Sequence, residues 1–400
     1  MLRFLTAGES HGPQLTAIVS GFPLGTPVSA DMINRDLERR QGGYGRGGRM
    51  KIEKDKAEIV SGVRFGRAMG SPITLVIKNL DYENWRDVMN PAPGEEDKSK
   101  AVTRPRPGHA DLPGCLKFGQ KDARNILERA SARETAARVA VGALCKCLLQ
   151  EFGIHVFSHV LSIGDVEADF TGLSFDTIRN LAEKSDVRCA DGSAAEKMRR
   201  RIDEAAAKGD TLGGVAEAVA TGVPVGLGNV MNWDEKLDGL LAQAVMSIQA
   251  VKGVEIGMGF GVTKALGSSV HDAIYYNAGE RDFPEGHGPS GGFYHRTNNA
   301  GGIEGGMTNS EPVVVRAAVK PIPTMMTPKD SVDLVTMQPF EASRERSDVC
   351  AVPAAAVIVE SAVAFVLTRA FLEKFGGDSL AEIQRNYHSY VEFLKQYYIQ

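Results

Sequence analysis

The sequence predicts an α+β fold. Strand-like apolar segments come in clusters, the helical periodicities are long, and the two do not alternate regularly as they would in a doubly wound α/β chain. Residues 2–6 and 15–20 read as short strands separated by Gly8-Glu9-Ser10-His11-Gly12. Glu58–Val63 and Ile73–Leu80 read as two more, the second carrying Thr74-Leu75-Val76-Ile77. Pro91–Lys100 is polar and reads as a surface loop. A long helix is predicted from Lys121 to Phe152, ended by Gly153. Residues 171–208 read as helical and charged, a surface excursion. Trp233–Val251 reads as a helix, with Leu237, Leu240, Leu241, Ala244, Val245 and Ile248 at 3–4 spacing. Val313–Val319 is strand-like, Pro353 suits the first turn of a helix running to Lys374, and the tail from Ser379 is amphipathic. No repeat or Pro/Ser-rich linker divides the chain, so a single domain over 1–400 is expected.

The 400 residues carry 46 Lys+Arg against 50 Asp+Glu, a formal charge of −4, with 43% apolar residues. These fractions are those of a globular chain and not of a disordered one. Mild acidity argues against a general nucleic-acid binder. The five cysteines have no zinc spacing, and Cys145 and Cys147 form a C-x-C in an apolar run. A reducing, cytoplasmic setting is the simplest expectation. The N-terminus MLRFLTAGESHG does not fit a signal peptide. The longest apolar stretch, Val349–Val359, contains Pro353 and is followed by Glu360, which reads as a buried helix and not a membrane span.

The positive charges are concentrated. Arg39–Lys51 (RRQGGYGRGGRMK) holds five cations, five glycines and no acid. Glycine permits close backbone approach to a ligand, and arginine offers a planar fork for carboxylate and phosphate oxygens. The same composition suits a solvated turn, and a short Arg-Gly tract also occurs in RNA-binding proteins. The Walker spacing is absent. Thr103–Ala110 (TRPRPGHA) presents Arg104, Arg106 and His109 on a run stiffened by Pro105 and Pro107. In the predicted helix 121–152, Arg129 and Arg133 are spaced i,i+4 and share a face. Arg138 pairs with Glu134, whereas Arg129 has only Asn125 and Arg133 at that spacing, so a ligand anion is one way to supply its counter-charge. His11 lies in a Gly-flanked Ser-His turn at a strand end, and Asp348 lies before an apolar helix where a cap is the ordinary reading. No metal-binding pattern is present, H-E-x-x-H included.

Eight of these segments, in order, resemble the chorismate synthase family: 8–12, 39–49, 106–111, 128–140, 249–257, 298–307, 320–324 and 346–354. The resemblance implies a layered β–α–β sandwich, long helices between antiparallel sheets, and a homotetramer. It implies an anti-1,4-elimination of phosphate and a proton from 5-enolpyruvylshikimate 3-phosphate, giving chorismate for aromatic amino-acid biosynthesis. The family depends on reduced FMN with no net redox change. The substrate carries roughly −3.5 to −4 at neutral pH, counting phosphate as about −1.5 to −2, so a locally cationic pocket is expected. The resemblance places Ser10, His11, Arg40, Arg46, Arg49, Arg106, Ser131, Arg133 and Arg346 around this substrate. It places Arg129, Ala130, Ser131, Gln249, Ala250, Gly305, Lys320, Pro321, Ile322, Pro323, Thr324 and Arg346 at the flavin.

By the same resemblance His11 protonates the leaving phosphate, His109 protonates the reduced flavin, and Asp348 is a base acting through it. Histidines, with a reference pKa of about 6.5, suit such exchange near neutral pH. Three positions depart from the family: Ala130 stands where Ser is common, Ser310 where Gly is frequent, and the 171–208 segment is idiosyncratic. The sequence leaves open whether NADPH reduces the flavin on this chain, with Arg40 and Arg46 as contacts, or a separate flavin reductase supplies it. Two rival readings remain: an FMN-dependent oxidoreductase acting on a phosphorylated anion, and an RNA-binding module built on the Arg-Gly loop. No membrane or metal partner is expected.

Overall fold

The computed structural model describes residues 1–400 except 49–51, 95–96, 280–282, 345–347 and 397–400. Two antiparallel sheets enclose a layer of helices. The first sheet orders its strands Arg3–Ala7, Gln14–Ser20, Ile73–Lys78 and Ala57–Ser61. Side chains alternate along a strand, and the register sets Leu15 against Ile77, Ala17 against Leu75 and Val19 against Ile73. All six are buried, so one face of this sheet is apolar and must be covered. The second sheet orders Val251–Ile256, Val313–Val319, Gly214–Thr221, His155–Ile163 and Val166–Glu167. Its inner face is small and apolar, with Ala216, Ala218 and Ala220 opposite Ala317, Val315 and Val313.

Helix Thr135–Gln150 packs on the first sheet, helix Val352–Phe375 on the second, and the two pack on each other. Their crossing is very close. A Cβ on Gly142 would stand 2.4 Å from Ser361 Cβ and 2.5 Å from Ser361 Cα. The buried hydroxyls that such closeness encloses are satisfied within their own helix: Ser361 Oγ donates to the Val357 carbonyl at 2.8 Å and Thr368 Oγ1 to Ala364 at 2.7 Å. Pro353 stands in the first turn, as expected. This helix is the one among the described residues long and apolar enough to cross a membrane, and 78% of its apolar window is buried between the layers. One apolar cluster runs through both sheets and the helices between them.

The layer also buries charge. Glu360 receives both Arg39 guanidinium nitrogens at 2.8 Å, Lys146 Nζ at 2.5 Å and Ser158 Oγ at 2.7 Å. Lys146 also pairs with Asp36, and Arg39 donates to Asp36 at 2.8 Å. Burial alone would push the Glu360 carboxyl up, yet Arg39 and Lys146 hold it well below the usual carboxylate range. Arg39, from the basic segment, is thereby spent on the core.

Several expectations change. The helix predicted over 121–152 is three pieces: Arg124–Ala130, a 3₁₀ turn Ala132–Glu134, and Thr135–Gln150. Ser131 adopts extended backbone (φ −62°, ψ 140°), and its Oγ accepts the Arg133 N–H at 3.3 Å, capping the second piece and ending the first. Arg129 and Arg133 therefore do not share a face. The helix predicted over 233–251 ends at Met246, and Val251 begins a strand. Strands His155–Ile163 and Gly214–Thr221 were not anticipated; the second (GVAEAVAT) has Glu217 as its one charged residue and lacks the polar alternation that marks a half-exposed strand. Residues 171–208 form helices Phe175–Lys184 and Gly192–Ala207, charged outside but burying Ile178, Ala182, Met198 and Ile202. Ser310 has φ 76°, the left-handed conformation that glycine adopts without strain.

Candidate active site

Segments far apart in the sequence are joined in a ring of contacts. Asn79 fixes the turn holding His11: its Nδ2 donates to the carbonyls of Gly12 at 2.7 Å and Glu9 at 3.1 Å. Its Oδ1 accepts from Arg133 Nε at 2.9 Å. Ser10 Oγ donates to Ser131 Oγ at 3.1 Å. His11 is held by Glu128, whose Oε2 accepts the His11 backbone N–H and whose Oε1 meets Nδ1, both at 2.7 Å. A carboxylate only accepts, so Nδ1 carries the hydrogen and Nε2 is the nitrogen not committed to Glu128. Burial would raise the Glu128 carboxyl, but the contacts with His11 and the Arg124 charge hold it below its ordinary value.

Arg133 and Arg40 share Asp55. Arg133 Nη1 lies 2.5 Å from Asp55 Oδ1, and Arg40 Nη1 3.4 Å from Oδ2. Arg40 also donates to Thr135 Oγ1 at 3.0 Å and to the Ala132 carbonyl at 2.8 Å. Arg133 Nη2 is buried with no hydrogen-bond acceptor among the described residues, the Glu53 carboxylate standing 3.6 Å away. Burial lowers the Arg40 pKa to about 10; Asp55 and Asp348 oppose this, Arg133 and Arg46 add to it. Its charge is under-compensated, which favours an added anion.

Arg46 joins this cluster through Asp348. Arg46 Nη1 lies 2.7 Å from Asp348 Oδ2, and the Gly47 N–H donates to Oδ1 at 2.6 Å. The Val349 N–H donates to the Gly45 carbonyl at 2.8 Å, and a Cβ on Gly45 would meet Ile202 Cγ2 at 2.9 Å. The glycine-rich segment is therefore strapped between residues 348–350 and helix Gly192–Ala207, not a free turn. Arg49 and Arg346 lie outside the described residues.

The Leu212 N–H donates to the Val349 carbonyl and Thr211 Oγ1 to Ile322, linking 348–350 to 320–324. There Arg106 Nη1 donates to Thr324 Oγ1 at 3.2 Å, and Lys320 Nζ to the Gly108 carbonyl. Asp111 accepts from Arg106 Nε at 2.8 Å and Nη2 at 3.1 Å, and lies 2.5 Å from His109 Nδ1. Nδ1 also lies 3.1 Å from Arg106 Nη2. One nitrogen does not serve both: Arg106 only donates and Asp111 only accepts, so His109 Nδ1–H bonds Asp111. Burial would raise Asp111, but His109 and Arg106 hold it far below the usual carboxylate range.

The ring closes through Ala250, whose carbonyl accepts the Lys320 N–H at 2.9 Å, and Gln249, whose Nε2 donates to Glu134 at 3.3 Å. Ala250 has φ 70°, a strained position of the kind found at functional sites. Arg129 is not without partners, as the sequence suggested. It donates to the carbonyls of Thr6 at 2.8 Å and Gly8 at 3.2 Å, and lies 3.8 Å from Glu134. Ala130 ends its helix beside these groups, half-buried. Pro321 is exposed, and Ile322 and Pro323 are half-buried, in the same loop as Thr324.

A cavity of about 500 Å³ is lined by Phe4, Leu5, Thr6, Arg129, Glu134, Arg138 and Gln249. The buried Oε1 of Gln249 has no donor among the described residues, and a flavin ring edge presents N–H. Of the residues assigned to the flavin, Arg129 and Gln249 line this cavity, and the open Gln249 acceptor suits a flavin N–H. Gly305 is exposed, and the carbonyl of the next residue, Gly306, accepts the N–H of Leu237 at the start of helix Leu237–Met246.

The locally cationic pocket is not bare: Arg46, Arg106, Arg133 and Arg40 face Asp348, Asp111 and Asp55, because a buried unpaired charge costs several kcal/mol. Of these acids the sequence reading singled out Asp348 alone; it missed Asp55 and Asp111, together with Glu128, Asn79 and Trp85. Asp111 and Glu128 were legible as the acids of RPGHAD and ERASARE; Asp55 and Trp85 lie in segments with no local signal.

A family model described as chorismate synthase matches residues 2–372. The chorismate synthase of Geobacter metallireducens is 57% identical over 397 residues, covering 99% of this chain and all of that protein. That of Pelobacter propionicus is 58% identical over 396 residues, with the same coverage. A crystal structure of chorismate synthase superposes with a TM-score of 0.78 at 43% identity, over 99% of this chain and 98% of that one. With these matches over its whole length, and with this ring of histidines, arginines and acids, the chain belongs to the chorismate synthase family.

Proposed function

We propose that this protein converts 5-enolpyruvylshikimate 3-phosphate to chorismate, eliminating phosphate and a proton. One observation supports it most: segments scattered from residue 8 to residue 350 are linked by hydrogen bonds and ion pairs into one ring that includes His11, His109 and four arginines. Reduced FMN, which the family needs, supplies electron density to the bond that breaks and ends unchanged in oxidation state.

Arg40, Arg46, Arg106 and Arg133 hold the substrate's carboxylates and phosphate. Their acid partners keep them aligned before it arrives, so little reorganisation remains on binding. His11, with Nδ1 on Glu128, gives a proton from Nε2 to the departing phosphate. His109, with Nδ1 on Asp111, holds a proton at Nε2 beside Lys320 and Gly108. Asp348, once its pairing with Arg46 is shared with the substrate, takes up the proton lost from carbon. The flavin is held by Arg129, Gln249, Ala250 and the 320–324 loop. A homotetramer in the cytoplasm is the assembly we propose. It is supported by the exposed Gly305 and the open edge strand with exposed Leu5, surfaces one chain leaves uncovered. NADPH reduction of the flavin on this chain would draw on Arg40 and Arg46, the arginines also assigned to the substrate, so the two ligands would compete there.

The test is turnover by His11→Ala and His109→Ala with reduced FMN supplied. Each variant is expected to bind substrate and to lose about 10²- to 10⁴-fold in kcat. Full activity in either removes that histidine from the proton path.

A further inference from the structure

Trp85 and Glu128 enclose His11 from two directions. The Trp85 and His11 rings are stacked at 3.8 Å between centroids and 26° between planes. Both residues are buried, at 7% and 9% exposure. Glu128, itself buried, grips the His11 backbone N–H and ring Nδ1 with its two oxygens. A hydrogen bond at Nδ1 alone leaves the ring free to rock about the N–H···O line. A flat indole against its face removes that motion, because stacked rings resist tilting.

The charges around the pair matter equally. Arg124, from the same helix as Glu128, lies 3.3 Å from Glu128 Oε1, the oxygen that meets His11 Nδ1, and its guanidinium stands 5.0 Å from the Trp85 ring centre. Lys100 Nζ stands 5.4 Å from the same ring. Glu9 precedes on the His11 turn, and Ser131 reaches it through Ser10. The imidazole therefore has a carboxylate at Nδ1 and an indole on its face, with the Arg124 and Lys100 charges beyond them.

We propose that Trp85 and Glu128 are positioning residues for His11: together they fix its ring plane and confine its proton exchange to Nε2. This rests on the reading of His11 as the proton donor. Neither residue reaches the reacting atoms in this account; each acts through the imidazole.

The experiment uses the full chain with Trp233→Phe, since Trp233 is 85% exposed and is the other of the two tryptophans. A protonated imidazole quenches an indole stacked on it, so Trp85 fluorescence should titrate with pH in this background, and the titration should vanish in His11→Gln. Glu128→Gln should lower kcat about 10- to 100-fold with KM nearly unchanged, and move the His11-dependent limb of the kcat–pH profile to lower pH. Trp85→Leu should lower kcat similarly, and Trp85→Phe, which keeps an aromatic face, should restore most of it. The proposal is overturned if Glu128→Gln and Trp85→Leu lose only thermal stability or affinity while kcat and its pH limb stay put. It is equally overturned if the fluorescence titration persists in His11→Gln. Should His11→Gln turn over normally, the donor assignment fails; the fluorescence titration needs no turnover and still decides whether the stack senses the imidazole.

Discussion

Arg46 and Asp348 meet at 2.7 Å, joining the glycine-rich segment to the residues just ahead of the longest core helix. The second Asp348 oxygen accepts the Gly47 N–H at 2.6 Å, so the carboxylate is held at both ends by one loop. In the ordinary reading such an acid caps a helix; here the helix begins at Val352 without a side-chain cap, and Asp348 serves the loop. Asp348→Asn should keep the Gly47 bond, lose the charge, and reduce single-turnover decay by about 10²-fold or more if the carboxylate takes up the substrate proton. Stopped-flow absorbance at the product band checks it; an unchanged decay removes Asp348 from that role.

Arg40 predicts a separation of stability from function. Its pKa, lowered to about 10 by burial, marks a cation that the fold does not fully compensate. A base whose folded pKa is lowered gains stability as pH rises through that window and costs stability below it. Arg40→Met leaves Asp55 paired with Arg133 at 2.5 Å. Its Tm should hold or rise, while KM rises about 10- to 100-fold with the lost charged contacts. A Tm scan and steady-state kinetics on one preparation test both halves.

The buried Glu360 network predicts acid lability. Glu360, Asp111, Glu128 and Glu217 are all held below their ordinary pKa, despite burial, by neighbouring cations and hydrogen bonds. A carboxylate lowered on folding stabilises above its unfolded pKa, and that contribution is lost as pH falls through the folded one. Stability should be level near neutrality and fall steeply below about pH 4. Glu360→Gln, which leaves Arg39 and Lys146 short of a counter-charge, should cost about 3–5 kcal/mol at neutral pH by urea denaturation and flatten the acid decline.

The close crossing of helices Thr135–Gln150 and Val352–Phe375 gives a steric prediction. A methyl on Gly142 meets Ser361 backbone as well as side chain, so no rotamer change relieves it. Gly142→Ala should cost about 1–3 kcal/mol even though alanine favours helix. Gly239, helical and with nothing within 4 Å of its would-be Cβ, gives the control position, where alanine should cost nothing.

Much of this was legible in the sequence, for reasons that can be located. Helix Val352–Phe375 was marked by Pro353 and Gly376, and the first-sheet strands by alternating Ile and Leu. The break at Ser131 was not, because the helical periodicity runs through it; a side-chain cap formed in place decides that turn. Strand Gly214–Thr221 was hidden because its alanines face a helix that approaches closely, and alanine signals neither strand nor exposure. At the site, the cations stood out as clusters. Asp55 and Glu128 did not, since pairing across 78 residues to Arg133 and across 117 to His11 leaves no trace in local spacing, whereas Asp111, two residues from His109 and five from Arg106, was there to be read.

The central claim is that this protein carries out an elimination in which reduced flavin is required and not consumed. The direct measurement is an anaerobic mixture of the protein, photoreduced FMN and 5-enolpyruvylshikimate 3-phosphate, with chorismate, phosphate and flavin absorbance followed together. The account predicts chorismate and phosphate in equal amounts, many turnovers per flavin, and a flavin still reduced at the end. Product matched one for one by flavin oxidation, or phosphate released without chorismate, would contradict it.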